Sequence, residues 1–204
     1  MSNVKVLAFA GSSRLGSYNA RLLTSLEHDV ASAGGVITPL DLRDDLALPL
    51  YDADLEQRSG VPLGARRLQK LFAEHAALII ACPEYNGGLP PLLKNALDWV
   101  SRPLPGHDEP NSAAFRGKVV GIVSASPGSG GAAGAANHLA DLLRDLRAEV
   151  VDPIVSLQLT DTDFSAGELQ ADHAAWPQLR ELAESVVARA SAHNVLDGQF
   201  NHAR

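Results

Sequence analysis

Residues 11–19, GSSRLGSYN, arrange Ser12, Ser13, Ser17 and Asn19 as hydroxyl or amide donors around one permanently charged guanidinium, Arg14. They follow the apolar run VKVLAFA and precede a run with helical spacing, so they form a polar loop between a strand and a helix N-terminus. The first backbone N–H groups of a helix have no intrahelical acceptor, and the helix dipole adds about half a positive charge there. Such a loop is an anion site suited to a phosphate group. Helix capping alone needs one Ser or Asn and gives no reason for Arg14.

Two further segments carry complementary chemistry. Pro83 to Gly88, within PEYNGGLPP, joins an aromatic face, Tyr85, to the donors of Asn86 and Gly87 and to a glycine pair that permits close backbone approach. A flat heterocycle can lie there. Ser124 to Gly131, SASPGSGG, adds the hydroxyls of Ser124, Ser126 and Ser129 on a wall of small residues. Each pattern alone is also that of an ordinary turn. Phosphate loop, planar surface and side wall together describe a site for a mononucleotide-like cofactor.

The elements that must position these loops are strand-like runs alternating with helix-period segments, the signature of strand-helix-strand units in a parallel sheet. Five strands are expected, at Val4 to Ala10, Val36 to Leu40, Ala76 to Cys82, Lys118 to Ser124 and Glu149 to Val155. The first helix sets Leu22, Leu23, Leu26 and Val30 on one face and ends at Gly34 and Gly35. A long loop, LRDDLALPLYDADLEQRSGVP, precedes a helix carrying Leu68, Leu71 and Phe72. Further helices start near Pro91, after the Gly/Ala-rich turn, and over about Ala171 to Ala192, with a frayed tail DGQFNHAR. The expected architecture is a single domain over residues 1–204, α/β in class. It is a three-layer α/β/α sandwich on a five-stranded parallel sheet in order 2-1-3-4-5. Ligands of such sheets bind outside the carboxyl ends of the strands at the switch point, where the three loops are neighbours.

Two nucleotide motifs are near misses. Gly11 and Gly16 have the spacing of a nucleoside triphosphatase phosphate loop, but Ser17 stands where its lysine is required, which argues against ATP hydrolysis. Gly128, Gly130 and Ala133 match a dinucleotide fingerprint, yet they fall late in the chain with one further strand to come, leaving a Rossmann dehydrogenase as a minor alternative. A net charge of -7 and a pI near 5.4 argue against nucleic-acid binding. No apolar stretch approaches membrane-spanning length and no export signal is evident, so a cytoplasmic protein is expected. One cysteine leaves no internal disulfide and no cysteine-based metal cluster.

GSSRLGSYN, PEYNGGLPPLLKNALDWVSRP and SASPGSGG resemble the NADPH-dependent FMN reductase family of flavodoxin-like fold, which includes quinone, chromate and azo-dye reductases. The resemblance runs from Val4 to the last helix. It implies that Ser12, Arg14, Ser17 and Asn19 hold the FMN phosphate, with the backbone of Ser13, Leu15, Gly16 and Tyr18 contributing. It implies further that Pro83, Glu84, Tyr85, Asn86 and Gly87 border the ribityl chain and isoalloxazine, and that Ser126 lines the ring's other edge. NADPH or NADH is then the co-substrate, and quinones, azo dyes, chromate, ferric chelates or free flavin are the acceptors. LPLYDADL resembles the family's long loop near a neighbouring subunit's flavin, so a homodimer or homotetramer is expected. The resemblance supplies no catalytic acid and no metal ligand, because the flavin carries the reaction. An FMN-binding electron-transfer module without nicotinamide turnover is the alternative. Flavodoxins usually have an uncharged phosphate loop, and Arg14 favours the reductase.

Other residues are assigned to structure. Cys82 is read as a small buried filler and Trp99 as packing or subunit contact. His107-Asp108-Glu109, Asp52/Asp54 and Asp161/Asp163 are read as solvated loops.

Overall fold

The computed structural model describes residues 3–103 and 113–201. The first expected strand is β1, Val4–Ala10, whose side chains alternate between two cores: Val6 and Ala8 face one helical layer, Leu7 and Phe9 the other. β2 (Gly35–Leu40), β3 (Ala77–Ala81) and β4 (Val119–Ser126) complete the centre, all parallel, in the order β2-β1-β3-β4. Every residue of β3 is buried, as expected of a parallel strand covered on both faces. The expected fifth strand is two pieces, β5 (Glu149–Val150) and β6 (Val155–Gln158), both parallel to β4. Pro153 lies between them and has no N–H to give to a ladder, so the strand order stands as 2-1-3-4-5 with its last position interrupted.

α1 (Tyr18–Ser25), α2 (Glu27–Ser32) and α7 (Trp176–Asn201) cover one face of the sheet. α4 (Leu63–Glu74), α5 (Pro91–Val100) and α6 (Ala133–Asp145) cover the other. The single first helix expected from Leu22, Leu23, Leu26 and Val30 is broken at Leu26. Thr24 and Ser25 donate their hydroxyls back to the carbonyls of Ala20 and Arg21, a pattern that bends helices. α7 begins at Trp176, not near Ala171, because Pro177 is tolerated only in a first turn. It runs on to Asn201, into the segment expected to fray, and residues 202–204 lie outside the described residues, as do His107, Asp108 and Glu109.

Two elements are additional to the sequence reading. The long loop contains α3 (Ala53–Ser59), capped by the Asp52 carboxylate on the N–H groups of Asp54 and Leu55. A hairpin of β7 (Phe164–Ser165) and β8 (Glu168–Leu169) packs on α1, where Leu169 donates its N–H to the buried Ser25 hydroxyl. Asp161 and Asp163 reach solvent, as expected, but are held in place. Asp161 pairs with Arg21 at 2.8 Å, and Asp163 accepts from the N–H and hydroxyl of Thr160, which hold its carboxyl below the usual range.

Candidate active site

The carboxyl ends of β1, β3 and β4 bring the three predicted loops to one cleft of about 210 Å³. Its walls include Ser12, Arg14, Ser17, Tyr18, Asn19, Pro83, Glu84, Tyr85 and Ser126 from the sequence reading, with Ala125 and Pro127 in addition. Gly11 sets the approach of the first loop: a Cβ there would lie 2.9 Å from Leu93 Cβ on α5, so a larger residue would push the loop away. Across the cleft, the Ser12 hydroxyl and the Tyr85 phenol are 3.2 Å apart and close one side of it.

The first loop is built to receive an anion. Ser17 caps α1, its Oγ accepting the N–H of Ala20 and keeping its own proton free to donate. The N–H groups of Leu15, Gly16, Ser17, Tyr18 and Asn19 have no acceptor among the described residues, and no acidic residue occupies the first turn of α1. The Arg14 guanidinium stands 5.1 Å from the centroid of the Tyr18 ring, exposed at the mouth.

The loop after β4 looks equivalent in sequence but is electrostatically different. α6 has no capping side chain of its own, since its N-cap is Ala132. Its first turn is instead met by Glu84, whose Oε2 accepts the N–H of Ala135 at 3.0 Å. A Cβ on Gly134 would come 2.9 Å from that oxygen, so glycine lets the carboxylate reach the helix end. One helix N-terminus at the cleft already holds an anion; the other is open.

The second loop is a tight turn. Tyr85 and Gly88 exchange backbone hydrogen bonds of 3.0 and 3.1 Å, and the two residues between them, Asn86 and Gly87, have φ of 52° and 78°. Positive φ at both central positions defines a type I′ turn, for which Asn-Gly is the preferred pair. The turn holds the Tyr85 ring at the rim and Asn86 and Gly87 at the tip, outside the cleft walls themselves.

With this geometry in place, the chain can be set beside known proteins. Residues 4–161 match the family described as NADPH-dependent FMN reductase. The chain belongs to that family. It is 35% identical over 177 residues to an NAD(P)H-dependent FMN reductase of Pseudomonas aeruginosa, covering 84% of this chain and 88% of that one. It is 36% identical over 149 residues to a quinone reductase of Escherichia coli, covering 73% and 74%. Among solved structures, the NAD(P)H:acceptor oxidoreductase FerB from Paracoccus denitrificans superposes with a TM-score of 0.77 at 26% identity, over 93% of this chain and 98% of its own.

Membership makes this FMN reductase an oxidoreductase with FMN as cofactor and a reduced nicotinamide as hydride donor. The donor set fits FMN: an open helix N-terminus with Ser17 and Arg14 for the phosphate, and an aromatic rim for the ring. Several predicted residues stand elsewhere than in the cleft. Ser13, Leu15 and Gly16 line a neighbouring cavity on the β2 side of the same loop. Asn19 is on the cleft wall, but its buried amide is engaged with β4, donating to the Ala125 carbonyl at 2.8 Å and accepting the Ala125 N–H at 3.1 Å. Glu84 spends its carboxylate on α6, and the Ser124 hydroxyl is buried, 2.7 Å from the Gly131 carbonyl.

Cys82, just after β3 and at the start of the loop that follows it, is wholly buried. Burial, and then the charge of Glu84, push its thiol up to about 12. A thiol so held is neutral at physiological pH and is no nucleophile. Sequence reasoning missed Arg43, whose Nη1 donates to the Ser13 carbonyl at 3.1 Å and braces the loop after β1. It also missed how LPLYDADL is held: Asn95 and Trp99 both donate to the Pro49 carbonyl, at 2.9 and 2.8 Å, and Tyr51 donates its N–H to Asn95 Oδ1 at 2.7 Å.

Proposed function

We propose that this family member holds the FMN phosphate on residues 12–19 and passes electrons to small acceptors, quinones first among them. The observation that carries the assignment of the phosphate is the contrast between the two helix ends. α6 presents its first turn to Glu84, so a dianionic phosphate there would meet a carboxylate. α1 presents free N–H groups, the Ser17 hydroxyl and Arg14, with no acidic residue in its first turn. Tyr85 and Ser126, which both line the cleft, would border the isoalloxazine, with Asn86 and Gly87 at the tip of the turn outside its walls.

Held at the start of α1 by Ser17, Arg14 and the free N–H groups, FMN would supply the hydride-accepting and electron-donating chemistry. The protein's residues bind and orient: positive charge at Arg14 and the N–H array of α1 favour an anionic cofactor, and the neutral Cys82 thiol stays out of the chemistry. Quinones are favoured over azo dyes, chromate, ferric chelates or free flavin because two of the relatives are a quinone reductase of Escherichia coli and a 2-hydroxy-1,4-benzoquinone reductase of a Burkholderia species.

A cleft of about 210 Å³ is smaller than the roughly 300–1,000 Å³ of pockets that enclose a whole small-molecule ligand, so one chain covers only part of the flavin. This supports a homodimer or homotetramer in which a second copy completes the wall. Leu50, 79% exposed on LPLYDADL, is the apolar residue offered for that contact. Residues 1–204 are proposed as one domain, since elements from β1 to α7 pack on a single sheet. Among the described residues no helix is long and apolar enough to cross a membrane. A cytoplasmic location is proposed on the single buried, unpaired cysteine.

The test is anaerobic titration of the FMN-loaded protein with NADH and NADPH, followed by turnover against a panel of acceptors. Bleaching of the flavin absorbance with quinone-dependent reoxidation is the expected result. Flavin that stays oxidised would sink the reductase reading and leave the electron-transfer module.

A further inference from the structure

The FMN phosphate loop has two sides, and the second side borders a cavity of about 400 Å³, nearly twice the volume of the cleft. The cavity lies between α1 and the edge strand β2, at the carboxyl end of the sheet where the cleft also opens. Ser12 and Arg14 line both spaces, so a ligand with one end in the cleft crosses only that loop to place its other end here. Its volume falls in the range of about 300–1,000 Å³ typical of small-ligand sites. The floor is apolar, made by Ala8 and Ala10 of β1 and Ile37 and Pro39 of β2. Small side chains on β1 leave room for a planar base above the sheet.

The polar rim is preorganised for hydroxyl groups. Asp41, immediately after β2, accepts the N–H groups of Arg43 and Asp44 on Oδ1, at 2.8 and 3.2 Å. Asp45 accepts the N–H of Asp41 on Oδ2 at 3.0 Å. Each carboxylate is thus fixed by backbone through one oxygen, while its other oxygen has no partner among the described residues. An acidic residue just past the second strand of a strand-loop-helix-strand unit is the arrangement that binds a ribose diol in dinucleotide sites.

The same rim is unfavourable for a second phosphate. Arg43 is committed: Nε and Nη2 pair with both oxygens of Asp44, at 2.6 and 2.5 Å, and Nη1 holds the Ser13 carbonyl. Arg14 lines the cavity as well as the cleft, and its guanidinium, beside the Tyr18 ring, is the one proposed for the FMN phosphate. What remains around the floor is Asp41, Asp45 and Glu27, a negative surface that attracts hydroxyls and repels a 2′-phosphate.

Resting on the reductase reading, we propose that this cavity takes the adenosine half of the hydride donor, with Asp41 and Asp45 on its ribose, and that it selects NADH over NADPH. The probe is ADP-ribose, which carries the adenosine and pyrophosphate without the nicotinamide. Calorimetry on the FMN-loaded protein should show ADP-ribose binding, and steady-state rates should show it competing with NADH. NADH should exceed NADPH in kcat/KM by about tenfold or more. Thr24→Trp, at an exposed position of α1 on the cavity wall, should raise both the ADP-ribose Kd and the NADH KM about tenfold, with kcat at saturating NADH and FMN affinity unchanged. Asp41→Asn with Asp45→Asn keeps the oxygens that accept the backbone N–H groups and removes the charge, so the NADH to NADPH ratio should fall about tenfold. Retained FMN absorbance reports that each variant is folded. An NADPH preference in the wild type, or ADP-ribose binding and NADH KM untouched by Thr24→Trp, overturns the proposal. If neither nicotinamide bleaches the flavin, the reductase reading falls, and ADP-ribose binding to wild type against Thr24→Trp still decides the cavity.

Discussion

The Glu84 carboxylate lies 3.0 Å from the backbone N–H of Ala135, so a residue of the flavin loop caps the helix that follows the opposite wall of the cleft. This single contact does two things. It ties the loop after β3 to α6, and it places a carboxylate at that helix end, leaving α1 as the end proposed for the phosphate.

Removing that cap has a cost that can be read without cofactor. Glu84→Ala should destabilise the apoprotein by about 1–2 kcal/mol, the loss of a helix cap strengthened by its charge on the helix dipole. Glu84→Gln keeps a carbonyl oxygen to accept the same N–H and should recover most of it. Urea unfolding of the three apoproteins measures this. Equal stability of all three would mean that the contact contributes nothing.

Arg14→Ala should weaken FMN while leaving riboflavin alone. A hydrogen bond to a charged group is worth about 1.5–3 kcal/mol, so the FMN Kd should rise by roughly 10- to 150-fold. Riboflavin lacks the phosphate and serves as the internal control, both being followed by flavin fluorescence quenching. If the two ligands weaken together, Arg14 supports the ring and not the phosphate.

The parts of this site that were legible in the sequence are those set by local chemistry. A polar, arginine-bearing loop between a strand and a helix reads locally as an anion site, and the alternation of apolar and helix-period runs marks a parallel sheet. Asn86-Gly87 also carried a local signal, the preferred pair of a type I′ turn, which fixes why the loop after β3 folds back on itself. What sequence concealed were partners distant along the chain. Glu84 and Asn19 read as ligand donors because nothing local shows that Ala135 and Ala125, 51 and 106 residues away, already claim them. Nothing local to Arg43 shows that its guanidinium meets the Ser13 carbonyl, 30 residues away. The interruption at Pro153 was visible as a residue type but not as a break, since an edge position tolerates proline.

Cys82 makes a pH prediction whose sign is fixed by burial. The folded thiol is raised from 9.0 to about 12, so between those values an unfolded chain loses its proton while the folded chain keeps it. The unfolded state then binds fewer protons, and stability falls as pH rises from about 9 toward 12; below pH 9 the group contributes no pH dependence. Cys82→Ala should flatten that alkaline limb. At pH 8 a thiol reagent should leave the native protein unmodified and react once urea unfolds it. Rapid modification of native protein would show an accessible thiolate and contradict the assignment of Cys82 to the core.

Asn19 separates two roles that a loss of FMN binding alone would confuse. Its amide satisfies both the carbonyl and the N–H of Ala125 at the buried junction of α1 and β4. Asn19→Ala leaves those two backbone groups without the partner they now have, at about 1–3 kcal/mol each, so the apoprotein should lose about 2–6 kcal/mol in urea unfolding. Because the same change releases the start of α1, affinity for FMN should fall as well. A side chain that instead bound the phosphate directly would weaken FMN strongly against riboflavin while the apoprotein kept its stability. Asn19→Asp sharpens the distinction: its carboxylate can still accept the Ala125 N–H but sets a second oxygen against the Ala125 carbonyl. The aspartate variant should therefore be less stable than wild type as apoprotein even though it retains one of the two hydrogen bonds.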